Sequence, residues 1–300
     1  MGVQTKGDPI ADATAAKAGI IWIASFPKSG NTWTRTFLHN LVKVQAGENE
    51  PQRINELNRF STWDISKQYY TKLLGYPPGP DHRNEIAATR HKVHEEIANA
   101  AEGVVFVKTH HALVMDRGYS TINFAVTSGA IYIIRNPFDV AISYAHHMNE
   151  SIDDAIERMS IENVETDVTE KTVYEVYGSW SQHVWSWTRT PHSAIYVLRY
   201  EDMIADTRKS FNGLIEHLLL NPTNSELAEA IDRSSFEKLK EQERSEGFRE
   251  KPKAAARFFR EGRSGQWKDI LTPLQVQRII RDHGEQMKRF GYLNDNGAPA

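Results

Sequence analysis

Lys28, Lys108, Arg135 and Arg260 each stand where an apolar or aromatic run gives way to a polar turn. Lys28 lies in Phe26-Pro-Lys-Ser-Gly-Asn-Thr-Trp33, between the apolar run Ile20 to Ala24 and a stretch with helical spacing. A strand that turns tightly into a helix leaves backbone N–H groups unpaired at the helix start, and these favour an anion. Lys28 adds a full charge, and Ser29, Asn31 and Thr32 add short hydrogen-bonding groups. Lysine precedes glycine, so the turn is P-loop-like without having the Gly-x-x-x-x-Gly-Lys-Ser/Thr spacing. A plain connection with a solvated lysine would not need so many polar groups aligned at one helix start.

The second segment, Val104-Val-Phe-Val-Lys-Thr-His110, delivers a lysine and a histidine from an apolar strand. An imidazole with an ordinary pKa near 6.5 suits proton removal at neutral pH, though a strand-capping hydrogen bond is the simpler reading of His110 alone. His111 points the other way if the strand continues. In Ile131-Tyr-Ile-Ile-Arg-Asn-Pro137, an arginine ends a buried run and a proline opens a helix, which makes a second anion site. Ser143 falls two turns on and could face Arg135; the alternative for Arg135 is a salt bridge to Asp139. The fourth segment, Phe258-Phe-Arg-Glu-Gly-Arg-Ser-Gly-Gln-Trp267, could wrap a phosphate or simply be a solvated loop.

Strands expected at Ile20–Ala24, Val104–Val107, Ile131–Ile134 and Ala194–Leu198, with a weaker one at Ile122–Val126, bring these segments together. They alternate with helical stretches at Asn31–Val44, Asn84–Ala101, Pro137–Met148, Thr172–Thr188 and Arg208–Leu219. Two more helices are expected at Asn224–Ile231 and Pro273–Phe290, around an irregular basic stretch from 246 to 268. Such alternation means an α/β fold, with a mostly parallel sheet flanked by helices and ligands at the carboxyl ends of its strands. One domain over 19–293 is expected, between a flexible N-terminus (1–18) and a flexible tail (294–300). The aromatics from Tyr174 to Trp187 read as core, and His91 and His94 as surface residues without a metal partner pattern. His146 and His147 are weaker candidates for a pocket wall.

With no cysteine, the chain has no disulfide, thiolate metal site or cysteine nucleophile. The net charge of −3 argues against a nucleic-acid partner. No apolar run approaches the roughly 20 residues that span a bilayer, and no secretion signal is visible, so a soluble cytoplasmic protein is expected.

Together and in this order, the four segments resemble the cytosolic sulfotransferase family, over about Ile20 to Tyr292. That resemblance implies 3′-phosphoadenosine-5′-phosphosulfate (PAPS) as co-substrate, with 3′,5′-adenosine diphosphate (PAP) as product and no metal required. It implies that Lys28, Ser29, Gly30, Asn31 and Thr32 hold the 5′ phosphosulfate and that Trp33 packs on adenine. Arg135 and Ser143 would take the 3′ phosphate, and His110 would be the catalytic base with Lys108 and Lys28 assisting. Tyr200, Ser234 and Phe236 would be further nucleotide contacts. Arg260 and Gly262 match a triplet closing over the 3′ phosphate, whose middle position is here the acidic Glu261, with Arg263 as a substitute cation. The family's dimer motif is incomplete: Lys268 and Thr272 fit, but Pro273 and Gln277 do not, so the usual dimer is not carried over.

Two rivals remain at this stage, an ATP- and magnesium-dependent small-molecule kinase and an inactive nucleotide-binding scaffold. The acceptor, a small-molecule hydroxyl or amine, is expected to meet loops at Arg53–Asp81, His146–Asp167 and Gln242–Ala256. Phe60, Trp63, Tyr69, Tyr70 and Tyr76 suit an apolar or aromatic acceptor equally as well as they suit packing beneath the loop.

Overall fold

The apolar runs become strands covered on both faces. The computed structural model describes residues 19–252 and 255–300. Its main sheet contains β1 (Gly19–Ser25), β2 (Ser61–Trp63), β3 (Val104–Thr109), β4 (Thr127–Ile134) and β5 (Ile195–Arg199). The order is β2-β3-β1-β4-β5, and every neighbouring pair is parallel. Flanking helices include α1 (Asn31–Gln45), α2 (Arg83–Asn99), α3 (Pro137–Met148), α4 (Trp180–Thr188), α5 (Thr207–His217), α6 (Asn224–Arg233), α7 (Phe236–Glu246) and α8 (Pro273–Arg289).

Strand side chains alternate between faces, so a run apolar at every position has to be buried on both. Trp22 and Ala24 of β1 join Tyr132 and Ile134 of β4 in one core, against α2, α3, α4 and α8. Ile23, Ile131 and Ile133 enter the opposite core, packed by Phe37 and Leu41 of α1, Phe211 and Leu214 of α5 and Leu227 of α6. The chain runs from β1 out to β2, returns to β3 on one side of β1, then crosses to β4 on the other. That reversal opens a crevice at the carboxyl ends of the middle strands. Register pairs Ala24 with Thr109 and Ser25 with Ile133, so the residues that follow three strands meet there.

Two expectations are corrected. The helix expected over Thr172–Thr188 exists only from Trp180. Gly178 takes a left-handed φ of 65° and the Ser179 hydroxyl caps the helix start, accepting from Gln182 N at 3.0 Å. Before it, residues 164–177 form a strap folded back on itself, with Tyr177 N donating to Val164 O (2.7 Å) and Thr166 N to Glu175 O (2.9 Å). The weak strand at Ile122–Val126 is instead a 3-10 turn, Phe124–Val126, capped by Asn123; β4 starts only at Thr127. In the 294–300 tail, Ala300 N donates to Tyr292 O at 3.1 Å. The N-terminal segment 1–18 lies outside the described residues. Among the described residues, no helix is long and apolar enough to cross a membrane.

Candidate active site

A cavity of about 510 Å³ opens where β1, β3 and β4 end, and Lys28, Lys108, His110 and Arg135 all line it. The turn after β1 is unusual in its backbone. Lys28 has φ 68° and Gly30 φ 108°. A left-handed lysine costs energy, of order 1–3 kcal/mol, and survives only where neighbours hold it. Arg135 is such a neighbour: its Nη1 donates to the Lys28 carbonyl at 2.9 Å and its Nη2 to the Arg263 carbonyl at 3.4 Å. Its guanidinium also lies 4.3 Å from the centre of the Tyr200 ring. Tyr200 in turn meets Trp33 edge-on and leaves no room for a side chain at position 30, where a Cβ would fall 2.8 Å from the ring.

The Arg135–Asp139 salt bridge, the alternative weighed from sequence, does not form. Asp139 instead accepts from Gly265 N (2.6 Å) and Trp267 N (3.1 Å), which pins the C-terminal loop beside α3. Glu243 of α7 fixes the other end of that loop through Phe258 N and Phe259 N, at 2.7 and 2.9 Å. The loop thereby brings Arg260, Glu261 and Gly262 to the cavity. Arg263 does not line it; its side chain is largely exposed and stands 3.5 Å from Glu261. Glu261 is thus answered by its own arginine, and what Arg263 offers inward is its carbonyl, to Arg135. Gly262 has φ 61°, and a Cβ there would come within 2.4 Å of Phe236. Gly262→Ala is expected to displace the loop at a cost on the order of 1–3 kcal/mol. A lower melting temperature, with weaker PAP binding than the stability loss alone explains, checks this.

Around Lys28 the cavity is rich in cations, with Arg135, Lys108 and Arg260 all acting on it. Lys28 Nζ sits 3.8 Å from the centre of the Phe258 ring and 3.5 Å from His147 Nδ1. Burial first, then the nearby Arg135, Lys108 and Arg260 charges, pull its pKa down to about 7, against a partial counter-pull from Glu243. His147 falls to about 3 through burial and the charges of Lys28 and Lys108. Ser29 Oγ and Arg135 Nε are buried without a hydrogen-bond partner. A cation cluster that depresses its own members and leaves donors unpaired fits a multiply charged anion.

His110 has a defined tautomer. Its Nδ1 lies 2.7 Å from the Ser25 carbonyl, which can only accept, so Nδ1 carries the hydrogen and Nε2 keeps a lone pair. Burial, with Lys108 beside it, holds the imidazole pKa well below its usual value. His183 Nε2 donates to the His110 carbonyl at 3.2 Å, and the His110 amide donates to Glu175 at 2.8 Å. Lys108 is 4.4 Å from the centre of the Trp63 ring and 3.7 Å from Glu250, which Arg35 also holds.

Of the other expected nucleotide contacts, Gly30, Asn31, Thr32, Trp33, Ser143, Tyr200 and Phe236 line the cavity. Asn31 turns its amide back to the Ile23 carbonyl at 2.8 Å. Ser234 does not line the cavity: it is fully buried, donating to Ala230 O at 2.7 Å and accepting from Asn40 at 3.1 Å. Ser29 also lies outside the wall, but with a free hydroxyl. His146 and His147 do reach the cavity. His94, expected on the surface, is buried against Trp22 with Nε2 3.4 Å from Asp64. His111 does point away, accepting from Val176 N at 3.0 Å.

The three expected acceptor loops each reach the cavity, through Trp63 and Ile65, through Met148 and Thr166, and through Glu250. Their aromatics mostly do not. Phe60 stacks on Phe106, Tyr70 is fully buried, Tyr69 packs on the core and Tyr76 is exposed. The aromatic stretch 174–187 is core at Tyr174, Trp180 and Trp187, but Trp185 is exposed and Tyr177 lines the cavity beside Glu175. Sequence reasoning missed these last two residues; the Gly178-Ser179 pair, a helix boundary, was the available signal.

Residues 19–291 match the family model described as the sulfotransferase domain, nearly the whole described chain. The chain belongs to the sulfotransferase family. Among curated relatives, dog sulfotransferase 1A1 is 24% identical over 280 residues, covering 90% of this chain and 83% of that protein. Mouse sulfotransferase 1E1 is 26% identical over 273 residues, 89% of this chain and 82% of that one. Mouse sulfotransferase SULT7A1, solved with PAP, superposes with a TM-score of 0.58 at 21% identity, over 97% of this chain and 90% of its own. Retinol dehydratase, solved with retinol and PAP, gives 0.62 at 18% identity, over 93% and 84%. At these identities the two structures speak for the fold of this sulfotransferase. Family membership does not favour the kinase alternative. In this sulfotransferase the incomplete dimer segment has a local use: Thr272 caps α8, and Pro273 occupies its first turn.

Proposed function

We propose that the protein transfers the sulfuryl group of PAPS to a hydroxyl or amine of a small-molecule acceptor, with His110 as general base. The observation that carries this reading is the neutral imidazole, its Nε2 lone pair free, on the wall of a cavity crowded with cations. The PAP named in the two neighbour structures fits a site whose cations and unpaired donors call for two phosphate groups. When bound, PAPS supplies an activated sulfuryl group, whose bond to the 5′-phosphate oxygen breaks as the bond to the acceptor oxygen forms.

The residues divide that work. Lys28, the unpaired Ser29 hydroxyl and the α1 start suit the 5′ end, where negative charge grows on the departing oxygen. Arg135, Ser143 and Arg260 suit the 3′ phosphate, and Trp33, Tyr200 and Phe236 suit the adenine. Gly30, Asn31, Thr32 and Gly262 let backbone and short side chains approach. Lys108 stands beside His110 and can share charge with Lys28. His110 Nε2 takes the acceptor proton as attack proceeds; Ser25 holds the ring and steadies the imidazolium. No step calls for a metal. A cytosolic location is part of the same reading.

Titration of PAP against ATP, with and without magnesium, combined with turnover of an acceptor with PAPS, tests the reading; ATP preference or magnesium dependence overturns it. Proton linkage gives a second check. Burial and the neighbouring cations pull the free Lys28 ammonium down to about 7, and a bound anion raises that value. Above the free pKa, binding must therefore take up a proton, so affinity is full below it and declines as pH rises. Between pH 7.5 and 9.0, PAP affinity should fall with a slope approaching about tenfold per pH unit, the limit for one proton, with proton uptake visible by calorimetry in two buffers. Lys28→Met should flatten that slope.

A further inference from the structure

Beyond its cationic end the cavity meets the 164–177 strap, and that wall is polar. Thr166, Thr169, Thr172, Glu175 and Tyr177 all line it. Glu175 is only 4% exposed, yet it borders the cavity. It accepts the backbone N–H of His110 at 2.8 Å on Oε1 and the Tyr177 hydroxyl at 3.3 Å on Oε2. An ionised carboxylate has about four acceptor positions, so roughly two stay open. Burial pushes the Glu175 carboxyl up to about 7, with Lys108 pulling the other way. A buried acid in that state gains from one further hydrogen-bond donor.

The acceptor loops point in the same direction. Four of the five aromatics between 60 and 76 turn away, leaving Trp63 as the flat surface that this loop offers. Lys108 pairs with Glu250 and offsets the charge of Glu175, and the strap's other lining acid, Asp167, is exposed to solvent, so these acids do not call for a cationic acceptor. We infer that the acceptor is a neutral polyol, such as a sugar or a cyclitol, whose hydroxyl beside the reacting one donates a hydrogen bond to Glu175. The carboxylate accepts from the His110 backbone and from Tyr177, whose ring centre is 6.0 Å from that of His110, so a donor held there lies on the same side of the cavity as the base. This inference rests on the sulfotransfer reading above.

Matched ring acceptors test it in the full-length protein with PAPS: cyclohexanol, cis-cyclohexane-1,2-diol, 2-aminocyclohexanol, methyl glucoside and 4-nitrophenol. The diol is expected to exceed cyclohexanol in kcat/KM by at least about tenfold, the scale of a hydrogen bond to a charged group. In Glu175→Val, and more weakly in Glu175→Gln, that ratio should collapse toward one. A PAP-induced rise in melting temperature verifies that each variant is folded. A wild-type diol-to-alcohol ratio near one, a preference for 4-nitrophenol or the amino alcohol, or a ratio that folded Glu175→Val keeps, overturns the polyol assignment while sulfotransfer stands. Failure to bind PAP or to sulfate any acceptor overturns the sulfotransfer reading instead.

Discussion

His110→Ala is expected to lower kcat for sulfuryl transfer by about 10²- to 10⁴-fold, the usual contribution of a positioned general base. Nucleotide affinity should change little, because the His110 ring bonds to Ser25 and not to the cationic groups around Lys28. The histidine is well suited to the role in its resting form. Burial and Lys108 keep it neutral at pH 7, so the lone pair is available without prior deprotonation. The low pKa also carries a cost, since a weak base removes a proton poorly until charge develops on the acceptor oxygen. Two features offset this during the reaction. The Ser25 carbonyl accepts from Nδ1–H and strengthens as the ring becomes cationic, and a bound anion screens Lys108. Loss of activity should therefore appear in kcat, with PAP binding by calorimetry near wild type. An equal loss in both would make His110 a structural residue, and the proposed mechanism would fail.

The fold was largely legible because its signals are periodic. Ile20–Ala24 and Ile131–Ile134 are short, apolar at every position and end in turn residues, as a strand buried on both faces requires, and they became β1 and β4. The cationic turns lie where these runs stop, so Lys28, Lys108, His110 and Arg135 could be expected together without coordinates. What escaped sequence reading depends on packing at a distance. Nothing local tells that Ser234 turns toward Asn40, 194 residues away in the chain, or that His94 packs under Trp22. The strap at 164–177 was hidden because its Val and Tyr residues from 173 to 177 run on into the aromatic face of α4 and resemble one helix until Gly178 is taken as a boundary. Glu175 was missed with it, since a single acid among aromatics carries no spacing signal. Arg263 stands apart for another reason: its exposed guanidinium lies 3.5 Å from Glu261, while its carbonyl meets Arg135.

Arg135→Ala should weaken PAP far more than adenosine 5′-phosphate, by about 10- to 100-fold in relative affinity, the range for hydrogen bonds to a charged group. The comparison between nucleotides is needed because Arg135 has two roles. Through its bonds to the Lys28 and Arg263 carbonyls it joins the turn after β1 to the C-terminal loop. Removing it relaxes both, and that damage falls on any adenine nucleotide. Only the 3′ phosphate distinguishes the two ligands, so a difference between them reports direct contact with that group. The buried, unpartnered Nε and the stacking on Tyr200 favour such contact, since they hold the guanidinium in one plane with a donor unused. Arg135→Lys keeps the charge but cannot bridge two carbonyls, so it should recover part of the 3′-phosphate preference while leaving the turn loosened. If alanine lowers the affinities for PAP and adenosine 5′-phosphate by the same factor, Arg135 is a clamp on the loop alone, and the 3′ phosphate must be held by Arg260.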